Sequence, residues 1–239
     1  MRIRGMPAGR AIARALLGVA LLGLVVLLAL QLWYLVHVIV WRDVDPSSTR
    51  FMRAQLAELQ ARDRSAKLQH RWVDYGRISV HLKRAVIAAE DSRFPSHDGV
   101  DWDAIEQAFE RNARRGRIAF GGSTITMQLA KNLFLSGERS YLRKAQELVI
   151  AWMLEAAMDK RRILEIYLNV AEWGVGVFGA EAAARHYFGV SAAQLGPDQA
   201  ARLAAMLPRP RYHDRNRGSA ALARRAAIVQ RRMPAVEVP

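Results

Sequence analysis

The sequence predicts a mostly α-helical domain carried behind one membrane-spanning helix. Three observations carry that expectation. Apolar residues recur at three- and four-residue intervals in one segment after another, and no run alternates with a period of two. Between Arg14 and Arg42 lie 27 residues without a single Asp, Glu, Lys or Arg.

That uncharged stretch is Ala15 to Trp41. Roughly 20 residues of helix suffice to cross a bilayer, so this one spans with tilt or runs past the interface. Trp33, Tyr34 and Trp41 gather at its distal end, where interfacial aromatics belong. A cleavable signal peptide would have a shorter apolar core followed by a small-x-small site, and the residues after Leu30 are bulky instead. Arg2, Arg4, Arg10 and Arg14 precede the stretch with no acid among them, whereas Arg42 is mixed with Asp43 and Asp45 beyond it. The positive-inside rule then places residues 1–14 in the cytoplasm and everything after residue 41 on the far side.

Residues 42–75 read as a membrane-proximal linker, helical over 47–69 where Phe51, Leu56 and Leu59 share a face, then extended around Gly76. Val80–Glu90 is a helix with Leu82, Ala85, Val86 and Ala89 on its apolar side. Pro95 and Gly99 make Asp91–Val100 a loop, and Asp101 caps a helix through Phe109. An Arg-rich loop containing Arg114, Arg115 and Arg117 follows, and Ser123 caps a helix from Thr124 to Phe134. After a turn at Ser136–Ser140 come helices over Tyr141–Met158 and Arg161–Asn169. Gly174, Gly176 and Gly179 punctuate a loop, and a helix runs from there to Tyr187. Pro197–Leu207 is helical until Pro208 and Pro210 end it, and Ser219–Arg232 is helical again. No β-rich alternating run appears, and the domain reads as mostly α.

The chain has 239 residues, 51% hydrophobic and 24% charged, as a globular domain requires, but 36 Lys and Arg against 22 Asp and Glu leave it at +14. Four of the basic residues precede the span, so the exported part holds 32 basic and all 22 acidic residues, a balance of +10. From Arg202 onward there are nine Arg and only Asp214 and Glu237. Such a domain beside a bilayer favours anionic head groups and phosphate-bearing ligands. Nucleic acid would be on the wrong side of the membrane and is not expected; a solvated basic surface is the other reading of the tail. The absence of Cys excludes disulfides, thiol nucleophiles and Cys-based metal sites.

Several motifs fail. Gly116, Gly121, Gly122, Ser123 and Thr124 suggest a phosphate loop but lack its Lys and a preceding strand. Asp98, Asp101 and Asp103 lack the Gly and closing Glu of a calcium loop, and neither HExxH nor GxSxG occurs. Two constellations remain. Glu90 and Asp91 end an apolar helix and enter a loop bearing Phe94, His97 and Gly99. Partial desolvation there would raise the pKa of Glu90 and suit proton abstraction, although an ordinary helix-end network has the same composition. On the Tyr141 helix, Arg143 and Lys144 fall four and three residues before Glu147, so all three share a face. This is either a solvent ion pair or a cationic wall for a phosphate, with Lys131 and Asn132 adding donors from the segment that holds Ser123, Thr124 and Gln128.

Three blocks, EDSRFPSHDGVDWDAI, GGSTITMQLAKNLFLSGERSYLRKAQE and KRRILEIYLNVAEWG, closely resemble the peptidoglycan glycosyltransferase family, glycosyltransferase family 51. This is the lysozyme-like module found alone in monofunctional transglycosylases and at the N-terminus of bifunctional penicillin-binding proteins. The resemblance covers about 76–212, leaving 213–239 as a basic helix and tail too short for a transpeptidase, so the monofunctional form is expected. Met127 stands where many relatives have Gln. The resemblance implies that Glu90 is the catalytic glutamate and Glu147 the second essential one. It assigns Asp91, Phe94, His97, Ser123, Thr124, Gln128, Lys131, Asn132, Arg143 and Lys144 to the substrate cleft, and makes Glu165, Tyr167 and Asn169 largely structural.

The implied substrates are lipid II and the growing glycan on undecaprenyl pyrophosphate, joined by inversion into a β-1,4 bond. Membrane lipids, and penicillin-binding or division proteins, are the implied partners; no cofactor is required. Two adjacent cations disfavour a general-acid role for Glu147, which either orients them or holds a divalent Mg2+ or Mn2+ at the pyrophosphate. A lytic enzyme of the same fold would need no Arg-Lys-x-x-Glu block, and a non-catalytic scaffold would need neither glutamate. Phe109, Ile118 and Phe120, around the basic loop, are candidates either for an apolar rim that meets the bilayer or for core. The expected location is the inner membrane, with a periplasmic catalytic domain.

Overall fold

A computed structural model of the chain describes residues 8–116, 121–135 and 140–239. The expected turn at 136–139 and the loop residues Arg117, Ile118 and Phe120 lie outside the described residues, as do Arg2 and Arg4. Among the described residues the fold is mostly helical, with one small sheet.

Helix α1 (Ala8–Asp43) has 36 residues and, among the described residues, is the one helix long and apolar enough to cross a membrane, which makes this a membrane-anchored protein. Residues 12–30 of it are exposed. Toward its C-terminus Gln31, Tyr34, Leu35, Val38 and Trp41, spaced at helical intervals, turn from solvent onto the domain. Phe134 stacks with Trp33, Tyr34, His37 and Trp41, with ring centroids 5.0 to 6.4 Å apart. Gln31 and Gln146 exchange amide hydrogen bonds of 2.8 and 2.9 Å. The Arg162 guanidinium donates to the terminal carbonyls of Trp41 and Val44 and pairs with Asp45 at 2.9 Å. The anchor is therefore docked along the domain rather than joined by a free tether.

Helix α2 (Arg50–Arg62) is capped by Thr49 and stops well short of residue 69. Asp63 takes an extended backbone and its carboxylate accepts from the N–H and hydroxyl of Ser65, a local turn that competes with the helix. Strand β1 (Gln69–His70) pairs in parallel with β3 (Val177–Phe178), which pairs antiparallel with β2 (Glu172–Gly174). This small sheet adds to the mostly α-helical domain expected from the sequence. Its members are two or three residues long, too short to show alternation in sequence.

The remaining helices are α3 (Val80–Glu90), α4 (Trp102–Arg115), α5 (Ile125–Phe134), α6 (Tyr141–Ala157), α7 (Lys160–Val170), α8 (Ala180–Phe188), α9 (Pro197–Met206), α10 (Pro210–Arg215) and α11 (Ala220–Arg232). Asp101 caps α4 as expected, but the helix continues past Phe109 until Gly116 turns left-handed at φ +63°. Beyond Phe109 it is polar and exposed, braced by pairs such as Glu110–Arg114, so the loss of apolar periodicity did not mark its end. Pro210 ends nothing: it occupies the first turn of α10, where a missing N–H is harmless. Phe109 is 75% exposed and is not core.

The core lies where α3 packs on α9 and α11, and α5 on α6 and α7, around Leu82, Ile87, Leu129, Ile150, Tyr167 and Trp173. One polar side chain holds its edge together. Asn169, fully buried, accepts from Val73 N–H and donates to the carbonyls of Val73 and Glu165, all at 2.9 Å. Asn169→Ala strands these backbone groups away from water and should cost about 3 kcal/mol, read as a lower midpoint in urea unfolding of the micelle-bound chain.

Candidate active site

The site is built where α3, α5, α6 and α11 converge. Glu90 is the last residue of α3, and Asp91 is its C-cap. The buried Asp91 carboxylate accepts from Ile125 N–H at the start of α5 (2.9 Å) and lies 3.0 Å from His97 Nε2 through both oxygens. One side chain thus ties the end of α3 to the beginning of α5. Phe94 is fully buried, with the Lys160 ammonium 4.7 Å above its ring, and Lys160 also donates to the His97 carbonyl and to Glu155.

Thr124, not the expected Ser123, caps α5; its hydroxyl accepts from Met127 N–H and donates to the Gly99 carbonyl at 2.6 Å. Gly122 must be glycine here, because a Cβ would come within 2.7 Å of Ile105 Cγ1 and 2.9 Å of its backbone. Ser123 is left to face α6, where its hydroxyl accepts from Lys144 Nζ at 2.8 Å. Lys144 and Arg143 each grip one oxygen of the buried Glu147 carboxylate, Arg143 at 2.6 Å. The i, i+3 and i, i+4 spacing seen in sequence is therefore a real three-charge cluster with a surplus of one positive charge.

Helix α5 links the two halves. Gln128 Nε2 donates to Glu90 Oε2 at 2.9 Å, and Tyr167 donates to Gln128 Oε1 at 3.0 Å. One turn on, Lys131 interacts electrostatically with both Glu90 and Glu147. Burial pushes the Glu90 carboxyl up from its ordinary value, against the Gln128 hydrogen bond and the positive charges of Arg225 and Lys131. Burial likewise pushes Lys131 down, opposed by Glu147. Three buried polar atoms here have no hydrogen-bond partner: Glu90 Oε1, His97 Nδ1 and Arg143 Nε. Lys131 interacts electrostatically with both Glu90 and Arg143.

A cavity of about 160 Å³ lies against Glu90, Asp91, Ser92 and Gly121–Thr124, with Arg232 on its wall. A second, more apolar hollow of about 390 Å³ is lined by Ser140, Tyr141, Arg143 and Lys144. Asp91, Phe94, His97 and Thr124 are all engaged by protein groups, Ser123 lines the first cavity, Arg143 and Lys144 line the second, and Asn132 is buried on α5. Arg225 and Arg232 were missed in sequence. They sit seven apart, two turns along α11, so they can present to one cleft, but nothing local ties them to a glutamate over 130 residues earlier.

Among the described residues no group of three or more His, Asp or Glu side chains could hold a metal ion, and both Glu147 oxygens are taken by cations. The residues present do not fit a divalent ion. The Glu147 carboxylate is held between Arg143 and Lys144.

The family model described as Transglycosylase matches residues 55–234. This chain belongs to the transglycosylase family. Among relatives, it is 60% identical to the biosynthetic peptidoglycan transglycosylase of Janthinobacterium sp. (strain Marseille) over 212 residues, 89% of this chain and 92% of that one. It is 59% identical to the protein of that name from Herminiimonas arsenicoxydans, over 92% of this chain and 95% of the relative. The one from Bordetella pertussis is 58% identical, over 95% of each chain. As a transglycosylase the chain is an enzyme, and every charged residue of the cleft just described lies inside the matched span.

Proposed function

We propose that this transglycosylase polymerises glycan strands from lipid II, transferring the growing chain from undecaprenyl pyrophosphate to the GlcNAc 4-hydroxyl of an incoming lipid II. The observation that carries this reading is the unspent acceptor at Glu90 Oε1 beside the cationic cluster of Lys131, Arg143 and Lys144. Glu90 takes the 4-hydroxyl proton as that oxygen bonds to the anomeric carbon. The bond from that carbon to the pyrophosphate breaks on the opposite face, giving inversion and a β-1,4 link. The departing diphosphate needs charge neutralisation rather than a proton, and the cations supply it. A lytic activity would have no use for this wall of positive charge.

The substrates are lipid-borne, and the domain is held at the bilayer to meet them. The Gln31–Gln146 pair sets the first turns of α6, with Tyr141 and Leu142 97% and 84% exposed, beside the apolar length of α1. The hollow at Arg143 and Lys144 opens at the same level. The Arg-rich segment before the span supports a cytoplasmic N-terminus and an exported domain, in the periplasm under an outer membrane.

Purified protein in vesicles should consume lipid II, release undecaprenyl pyrophosphate and yield β-1,4 strands with intact peptides. Protease added to spheroplasts should digest the domain. Cleavage of preformed glycan without lipid II consumption would contradict the polymerase reading, and full protection of the domain would reverse the topology.

A further inference from the structure

Tyr167 lies in a segment whose composition points only to packing, and it is 1% exposed. Yet its hydroxyl ends a directed chain: Tyr167 Oη donates to Gln128 Oε1, and Gln128 Nε2 donates to Glu90 Oε2. A primary amide has an accepting and a donating end, and it can turn over in its pocket. Only the NH2 end suits an ionised carboxylate. The other end must then meet a donor, and the phenol is that donor. We propose that Tyr167 is a positioning residue for proton abstraction, holding the Gln128 amide so that its NH2 end always faces the base.

Two consequences follow for Glu90, both resting on its assignment as the base. Oε2 is occupied, so the proton arrives at Oε1, the oxygen without a protein partner. The ionised form is also favoured, since a turned-over amide would present its carbonyl to Glu90 and could be satisfied only by a protonated carboxyl. The other groups facing Glu90 are Lys131 from α5, Arg225 and Arg232 from α11, and Asp91, backed by His97, at the end of its own helix. None of them is altered when the phenol is removed, so they act equally in both proteins.

The test is the pH dependence of lipid II turnover by the full chain in vesicles, for wild type, Tyr167→Phe, Gln128→Leu and the double variant. Glu90 works ionised, so turnover rises with pH through its pKa. Tyr167→Phe should move that acid limb upward by about half a pH unit or more. It should lower kcat about threefold on the acid limb for a half-unit shift, with the loss recovered above the limb and KM for lipid II unchanged. Gln128→Leu should shift the limb in the same direction, and adding Tyr167→Phe to it should change nothing further. An equal fractional loss at every pH, or an undiminished effect of Tyr167→Phe in the Gln128→Leu background, would show that the ring only fills space and overturn the proposal. Should Tyr167→Phe fail to fold in a thermal melt, an unshifted limb in Gln128→Leu would overturn it from the other end. An acid limb that survives in Glu90→Gln would instead remove Glu90 as the base, and the relay with it.

Discussion

Glu90→Gln should lower lipid II turnover by at least about 10²-fold, the lower range of what a positioned general base contributes. The substitution keeps the shape of the side chain and its contact with Gln128 while removing the group that takes the proton. Folding should survive, for a reason of sign. Burial raises the Glu90 pKa, so the folded chain holds a proton that the unfolded chain releases as pH rises above the ordinary carboxyl value. Between the unfolded and folded pKa values stability therefore falls with pH, and at neutrality the ionised carboxylate is a cost to the fold. Gln carries no such cost. The variant should unfold at a temperature no lower than wild type and bind lipid II-containing vesicles as well, both measured beside the initial rate.

Glu147→Ala should have a comparably large effect by a different route. Glu147 is 3% exposed and anchors Arg143 and Lys144 through one oxygen each. Removing it leaves two partly exposed cations together with no anion, and solvent screening of Lys144 holds the cost to about 1 to 2 kcal/mol. Lys144 and Arg143 would swing toward solvent, and the wall facing the leaving diphosphate would lose its geometry. Turnover should fall about 10²-fold and the urea midpoint should drop. Arg143→Ala, which keeps the anion and one cation, should weaken lipid II binding together with turnover, because its charge partner is present before the reaction begins. Normal turnover by Glu147→Ala would exclude the organising role.

The parts of this site that are local in sequence were legible there. Glu90 closing an apolar helix, and Arg143, Lys144 and Glu147 sharing one face of another, follow from helical spacing alone, and both arrangements stand in the structure. The anchor was legible for the same reason, since an uncharged span of that length has one common use. Packing across the chain was not legible. Nothing near Gln31 in sequence marks it as a contact, and its role appears only once Gln146 is opposite. Strands β1 and β3, over a hundred residues apart and two residues long, carry no periodic signal. Tyr167 has the composition of core, and its polarity matters only because Gln128 and Glu90 line up beyond it. The tail read as a basic surface, because the approach of Arg225 and Arg232 to Glu90 is set by α11 packing on α3 and α9.

The central claim is that Glu90 is the base of a lipid II polymerase. The measurement that bears on it most directly is lipid II consumption by wild type and Glu90→Gln in the same vesicles, at matched lipid II occupancy. The account predicts steady release of undecaprenyl pyrophosphate by wild type and a rate at least about 10²-fold lower for the variant at equal binding. Near-normal turnover by a folded Glu90→Gln protein would contradict it.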